Sequence, residues 1–420
     1  MNTLLITLGS HGDIHPFIAL GQALRERGHS VVAASNPYFE EQFRRAHLPF
    51  AAFGERLELK SMIEEHKVMD PNRGPMNVFR KMVLPYVPDF VAWTRELIRT
   101  HRPDRVIYHP IVIGVPWACQ LEGGVPTVSI TLSPTLWASQ DDPVVMLPFH
   151  GVNPGNFAAS FDRFVSRWFM RFALDGGLNR IRKQLGLPAQ RDHLRRHGRE
   201  ASLNLALWSP LFRPPLPGDP VNSAVVGFTW HDRDHTQETP SDEITRFLDA
   251  GEPPILFALG STGVHAAGRF FENAVDATRS LGARALLVVG RDQKPPANMP
   301  NDGSILAVAY APFSAVFPRA SVIVHHGGAG TTAQALAAGR PTLITPMAHD
   351  QYDNAARVRR LGCGETIHFA KCSAKRFTEA LARLRGEPRF GAAAAAVGPK
   401  IRNEDGAPRA AQAIEAMRVS

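Results

Sequence analysis

The residue types best suited to chemistry are concentrated in one stretch, VHHGGAGTTAQALAAGRPTLITPMAHDQYDN, from Val324 to Asn354. A β-branched run, Ser321 to His326, predicts a buried parallel strand, and Thr332 to Ala338 is rich in helix formers. Between them Gly327, Gly328 and Gly330 let the backbone turn and approach a ligand without Cβ interference, while Thr331 and Thr332 can cap the helix. The start of such a helix presents unpaired N–H groups and partial positive charge, worth about 0.3 to 1 kcal/mol toward an anion at exposed sites. That chemistry suits a phosphate. Gly339 ends the helix, and Pro341 to Pro346 reads as the next strand. His349, Asp350 and Gln351 then fall at its carboxyl end, where ligands of open α/β sheets bind. A Gly-rich turn of this kind also serves plain packing, so the neighbouring residues must decide.

Two further strand-to-loop transitions carry polar groups. Ile255 to Leu259 leads into Gly260, Ser261 and Thr262, which places the Ser261 hydroxyl and adjacent amides as additional phosphate donors. At the start of the chain, Gly9 to Leu20 (GSHGDIHPFIAL) supplies three titratable groups, His11, Asp13 and His15. The glycines here do not form a GxGxxG dinucleotide fingerprint, which weakens an oxidoreductase reading.

These groups need a scaffold of strands and helices. Thr3 to Leu8, Ser30 to Ser35, Arg105 to Tyr108 and Thr127 to Leu132 read as strands, with a helix from Pro16 to Arg27. A second series runs from Val225 through strands at Ile255 to Leu259, Ala285 to Val289, Ile305 to Ala309, Val322 to His325 and Thr342 to Thr345. Each series predicts a doubly wound sheet. With 420 residues, the chain exceeds what one core normally serves. The expected division is 1–212, a Pro-rich linker at 213–222, a second domain at 223–406, and a C-terminal helical region at 407–420.

Composition narrows the class. Hydrophobic residues make up 44% of the chain, and no apolar run reaches membrane-spanning length. Met1 leads directly into a strand, and Cys119, Cys363 and Cys372 lack ligand or disulfide spacing, so a cytoplasmic location is expected. The formal charge of +8 suits an anionic partner, but no nucleic-acid-binding motif accompanies it.

The segment from Val324 to Asn354 closely resembles the donor-binding signature of the inverting glycosyltransferases of the UDP-glycosyltransferase superfamily, which have the GT-B fold: α/β, with two doubly wound Rossmann-like domains facing a central cleft. The segments GSHGDIHPFIAL and AHDQYDNAARVRRLGCG look most like bacterial rhamnolipid-type rhamnosyltransferases and the sterol and antibiotic glycosyltransferases. The resemblance covers nearly the whole chain. It implies that His326 and the amides of Gly328, Ala329, Gly330, Thr331 and Thr332 hold the diphosphate of a nucleotide sugar, and that Asp350 and Gln351 read sugar hydroxyls. Tyr310 and Ala311 stand where the family places a flat aromatic near the nucleobase, although Tyr310 can equally be a strand-end packing residue. The last helix is expected to pack back on the first domain, as the family's does.

Aligning the Gly-x-x-x-Pro frame of the resemblance puts Asp13 where many members have a general-base histidine. A carboxylate of ordinary pKa, about 3.9, cannot deprotonate an alcohol outright, but it can take the proton late, as the acceptor oxygen bonds to the anomeric carbon. The competing assignment is that Asp13 caps the helix and His11 or His15 is the base. Gln334 stands where the family carries an acidic residue for the ribose hydroxyls, which leaves UDP and dTDP both open. The resemblance implies a small lipophilic acceptor, bound by the first domain.

Other features receive less specific readings. Asp232-Arg233-Asp234 has the form of a metal-binding DxD triplet but lies in a polar stretch, and no metal or other cofactor is expected, the nucleoside-diphosphate sugar being a substrate. Arg163, Arg167 and Arg171 share a helix face beside aromatics in FDRFVSRWFMRF. They suit an acceptor pocket, peripheral contact with an anionic membrane, or a basic exterior over a packed core. A sugar-nucleotide epimerase and a non-catalytic nucleotide-sugar binding protein are the alternative functions.

Overall fold

The computed structural model describes residues 1–58, 61, 65–70, 73–137, 141–142, 174–193, 201–230, 239–291 and 293–417. Asp232, Asp234, Arg163, Arg167 and Arg171 lie outside them, so the DxD triplet and the basic-aromatic helix are not located.

The first sheet is parallel throughout and ordered β3-β2-β1-β4-β5-β6-β7. Its strands are β1 (Asn2–Ile6), β2 (Ser30–Ser35), β3 (Phe50–Ala52), β4 (Arg105–Tyr108), β5 (Thr127–Thr131), β6 (Leu203–Ala206) and β7 (Ser223–Val225). The second sheet, also parallel, is ordered β10-β9-β8-β11-β12-β13. It comprises β8 (Ile255–Ala258), β9 (Ala285–Val288), β10 (Ile305–Val308), β11 (Val322–His325), β12 (Thr342–Ile344) and β13 (Gly364–Thr366). Both sheets reverse strand order beside their first strand, at β1/β4 and at β8/β11, and such a reversal opens a crevice at the carboxyl ends. The loops carrying Asp13, Ser261 and His326 all leave strands at these two points.

Helices cover both faces of each sheet. Helix α1 (His11–Glu26) buries Ile14, Phe17, Ile18 and Leu24 against the first sheet. It starts earlier than the Pro16 read from sequence, because Ser10 caps it and Pro16 lies inside the helix. In the second domain, α2 (Ala329–Ala338) and α3 (Gln351–Arg360) follow β11 and β12. The last helix, α4 (Gly406–Ala416), returns to the first domain, packing Ala407, Ala410, Ala411 and Ile414 beside the residues of α1. Glu415 there accepts bonds from Arg27 and also contacts His29.

The domain boundary lies later than expected. Ser223–Val225 pairs with β6, so the Pro-rich stretch 213–222 connects two strands of the first sheet rather than two domains. Proline there leaves the chain without a ladder donor, which suits a connection of either kind. The chain leaves the first domain after Val225 and returns near Glu404. The Glu404 carboxylate accepts from Ser209 Oγ at 2.5 Å and from the Phe228 amide at 3.1 Å, tying the two crossings together.

Between the domains lies an apolar cluster in which Trp137, Ala206, Trp208 and Phe212 meet Leu336, Ile344, Val358 and Ile401. Beside it a buried ion cluster spans the junction. Asp142 accepts from Arg213 Nε at 3.1 Å and from Arg357 Nη2 at 2.7 Å, while Arg357 Nε donates to Asp353 at 2.6 Å. Burial pushes the Asp142 carboxyl up, yet the hydrogen bonds and charges of Arg357 and Arg213 together hold it below its usual range. Among the described residues no helix is long and apolar enough to cross a membrane.

Removing one member of such a cluster leaves buried charge uncompensated. Asp142→Ala is expected to cost about 3 kcal/mol, measured as a lowered urea midpoint by tryptophan fluorescence, since Trp137 and Trp208 adjoin the cluster. Asp142→Asn, which keeps one acceptor oxygen, loses less.

Candidate active site

The loop after β1 is shaped around Asp13. Gly9 has φ +133°, and a Cβ there would stand 2.3 Å from Asp13 Oδ2, so the chain wraps the carboxylate as only glycine allows. Ser10 donates to Oδ2 through its amide at 2.7 Å and its hydroxyl at 3.1 Å, a capping box at the start of α1. Asp13 therefore does cap the helix, but at His11 rather than Pro16, and only through Oδ2. Oδ1 faces His109 Nε2 at 3.7 Å. His109 Nδ1 accepts from the Ile111 amide at 3.2 Å, which leaves the ring proton on Nε2, directed at the carboxylate. Burial lowers the His109 pKa and the Asp13 charge partly offsets this.

His109 was not found from sequence; only its place just beyond β4 marks it. The two other candidates sit differently. His11 packs edge-on against Phe39 at 5.3 Å and His15 at 5.7 Å, and burial, then Arg291, lowers its pKa.

Across the cleft, the glycines that follow β11 make the turn into α2. His326 is buried between two backbone segments: a Cβ on Gly260 or on Gly328 would each come within 2.6 Å of its ring. Burial drops its pKa to about 4, and that of His325 to about 3, so both are neutral at physiological pH. His325 Nδ1 accepts from the Gly327 amide at 3.1 Å, whereas His326 Nδ1 has no protein partner. No side chain caps α2, and its first amides, from Ala329 to Thr331, stay free for a ligand because the Thr332 amide is the first to bond within the helix. Thr332 Oγ1 and Gln334 Oε1 are likewise buried without a hydrogen-bond partner.

Ser261 and Thr262 lie in the short helical turn Gly260–Gly263, with Ser261 exposed. Ala311 is buried, but Tyr310 is 49% exposed, with the Arg291 guanidinium 5.4 Å from its ring centre. Tyr310 is therefore at a surface, not in a packed strand end.

At the end of β12, Asp350 receives the Asn354 amide at 2.9 Å. Burial raises its pKa to about 6, the Asn354 bond opposes this, and the charge of Asp13 adds to the rise. The charge of Asp13, in the other domain, thus reaches Asp350. Gln351 Oε1 accepts from the Met347 and Ala348 amides at 2.8 and 3.2 Å, shaping the loop.

Comparison with known proteins agrees with this arrangement. Residues 3–104 match the glycosyltransferase family 28 N-terminal domain, and residues 276–417 match the erythromycin biosynthesis protein CIII-like C-terminal domain. The O-mycaminosyltylonolide 6-deoxyallosyltransferase of Streptomyces fradiae is 30% identical, over 99% of this chain and 97% of its own. A sterol 3-beta-glucosyltransferase of Yarrowia lipolytica is 28% identical over 98% of this chain, which spans 28% of the length of that relative. In fold, the chain is similar to the glycotransferase of kitacinnamycin, with TM-score 0.73, 20% identity and coverage of 100% and 99%. It is also similar to a spinosyn rhamnosyltransferase complexed with thymidine diphosphate, with TM-score 0.65, 18% identity and coverage of 99% and 100%.

Two outcomes follow. Gly260 has φ +66°, so Gly260→Ala both strains the loop and displaces His326; nucleoside diphosphate binding should weaken roughly tenfold or more, by calorimetry. Asp350 titrates near 6 in the fold but near 3.9 unfolded. Its contribution to stability is therefore full below the lower value and lost as pH rises through about 6. Asp350→Asn should raise the melting temperature of the unliganded protein by a few degrees, ~2–4 °C, at pH 7.5, and the gain should vanish below pH 4.

Proposed function

The chain belongs to the glycosyltransferase family that contains the sterol and antibiotic glycosyltransferases, and on that premise we propose that it is an inverting, metal-independent glycosyltransferase. It moves a hexose or deoxyhexose from a UDP- or dTDP-sugar to a hydroxyl of a small lipophilic acceptor. The observation that carries the reading is the start of α2, whose free amides stand beside the buried His326 on a loop that leaves β11 at a strand-order reversal.

Asp13 takes the acceptor proton. Ser10 holds Oδ2, so Oδ1 receives it, with the Nε2–H of His109 directed at that oxygen from 3.7 Å. The acceptor oxygen bonds to the anomeric carbon as the sugar–phosphate bond on the opposite face breaks, which inverts the centre. Charge then develops on the leaving diphosphate. The free amides at the start of α2, with the neutral ring of His326, meet that charge without reorganising. Asp350 orients the sugar through its hydroxyls, with Gln351 shaping the loop that carries it. Tyr310, flanked by Arg291, offers its exposed ring to the nucleobase.

Gln334 bears on the choice of nucleotide. Its amide oxygen can accept one hydroxyl bond but lacks the charge-assisted strength of a carboxylate. This supports a deoxyribose donor alongside UDP.

Asp13→Asn should cut kcat by about 10² to 10⁴-fold while leaving nucleoside diphosphate affinity nearly unchanged. Retained turnover in that variant, with loss in His11→Ala, would overturn the base assignment. Activity should survive EDTA, and parallel UDP and dTDP titrations read the nucleotide preference. A donor-by-acceptor panel read by mass spectrometry identifies the sugar and acceptor class together.

A further inference from the structure

One segment of the first domain reaches over the cleft to the loop that precedes Asp350. His349 Nε2 lies 2.9 Å from the carbonyl oxygen of Val68 and donates to it. Around this bond, Val68 and Met69 pack on Met347 in a small apolar cluster of their own, separate from the main cores. His349 holds φ +58°, a left-handed backbone that a non-glycine side chain seldom adopts without a compensating contact.

The opposing side is also built for this contact. A Cβ on Gly74 would stand 2.2 Å from the Val68 carbonyl oxygen, so only glycine lets the chain fold back over that atom. The Gly74 amide donates to Asp70 O at 2.8 Å, and Asn77 Nδ2 donates to His66 O at 2.9 Å, which makes the segment a braced element. It continues into a π-helical stretch, Val78–Val83, a geometry rare in proteins and frequent at functional sites.

We infer that His349 is a positioning residue that latches the first domain, through the Val68 carbonyl, to the sugar-reading loop, closing the cleft and keeping water from the anomeric carbon. The inference rests on the glycosyltransferase reading. With the latch closed, the acceptor hydroxyl is the nucleophile. With it open, water attacks instead: its oxygen bonds to the anomeric carbon, the sugar–phosphate bond breaks, the nucleoside diphosphate leaves, and the water proton passes to Asp13.

The test uses a variant on each side of the cleft. His349→Asn suits the left-handed backbone but is too short to reach Val68, and Gly74→Ala displaces the Val68 carbonyl. Each should slow transfer roughly ten- to hundredfold and raise the share of donor lost to water severalfold, with nucleoside diphosphate affinity within about twofold of the parent. The double variant should be no worse than the weaker single one, since both break the same contact. Hydrogen exchange in the peptide spanning Val68 should quicken in His349→Asn. A parent-like ratio of hydrolysis to transfer, or additive losses in the double variant, would overturn the latch. If the parent protein turned over no donor with any acceptor, the glycosyltransferase reading would fall. Exchange at Val68 would then decide the latch alone, and unchanged exchange would overturn it.

Discussion

Buried arginine must be paired, and the pairing of Arg357 with Asp142 and Asp353 is the constraint on which the rest of this structure depends. An unpaired guanidinium in that position would cost several kcal/mol in desolvation, about 3 to 5 when one partner is lost. Arg357 therefore selects an arrangement in which helix α3 lies against Asp142 and, through it, against Arg213. The beginning of that same helix bears Asp350 and Gln351. A charge requirement at one end of a helix thus sets where the Asp350 carboxylate stands at the other. The apolar cluster around Trp137, Trp208 and Leu336 supplies area to the same junction but no comparable directionality.

The site that results is asymmetric in its electrostatics. On the second-domain side, positive character comes from oriented amides and neutral imidazoles, not from lysine or arginine within the cradle. Burial keeps His325 and His326 uncharged, so their place between glycines matters more than their titration. On the first-domain side, Asp13 carries the opposing charge, with one oxygen held by Ser10 and the other facing His109. The rise of Asp350 toward neutral pH is mainly the consequence of burial, with the charge of Asp13 a smaller addition.

Much of this was legible from residue order. The β-branched runs at Val322 to His325 and Arg105 to Tyr108 became strands with the expected ends, because short apolar runs bounded by breakers have few other places to go. Four strands escaped notice: Phe50–Ala52, Leu203–Ala206, Ser223–Val225 and Gly364–Thr366 are three or four residues long and lack a period that can be measured. Ser223–Val225 mattered most, since prolines in the preceding stretch read as a linker whereas strand pairing assigns it to the first sheet.

The sequence by itself determined the two doubly wound domains and the glycine turn from His326 to Thr332, and its family resemblance supplied the candidacy of Asp13 and Asp350. The first two rest on local physics: apolar runs between breakers, and glycines where a backbone must turn closely. Only the tertiary structure decided that His109 faces Asp13, that Gln351 Oε1 accepts from its own loop, that His349 reaches Val68, and that Tyr310 stands exposed beside Arg291. Those pairings join residues far apart in the chain, or turn on which way a side chain points once neighbours have claimed its hydrogen bonds. Neither property is carried by spacing.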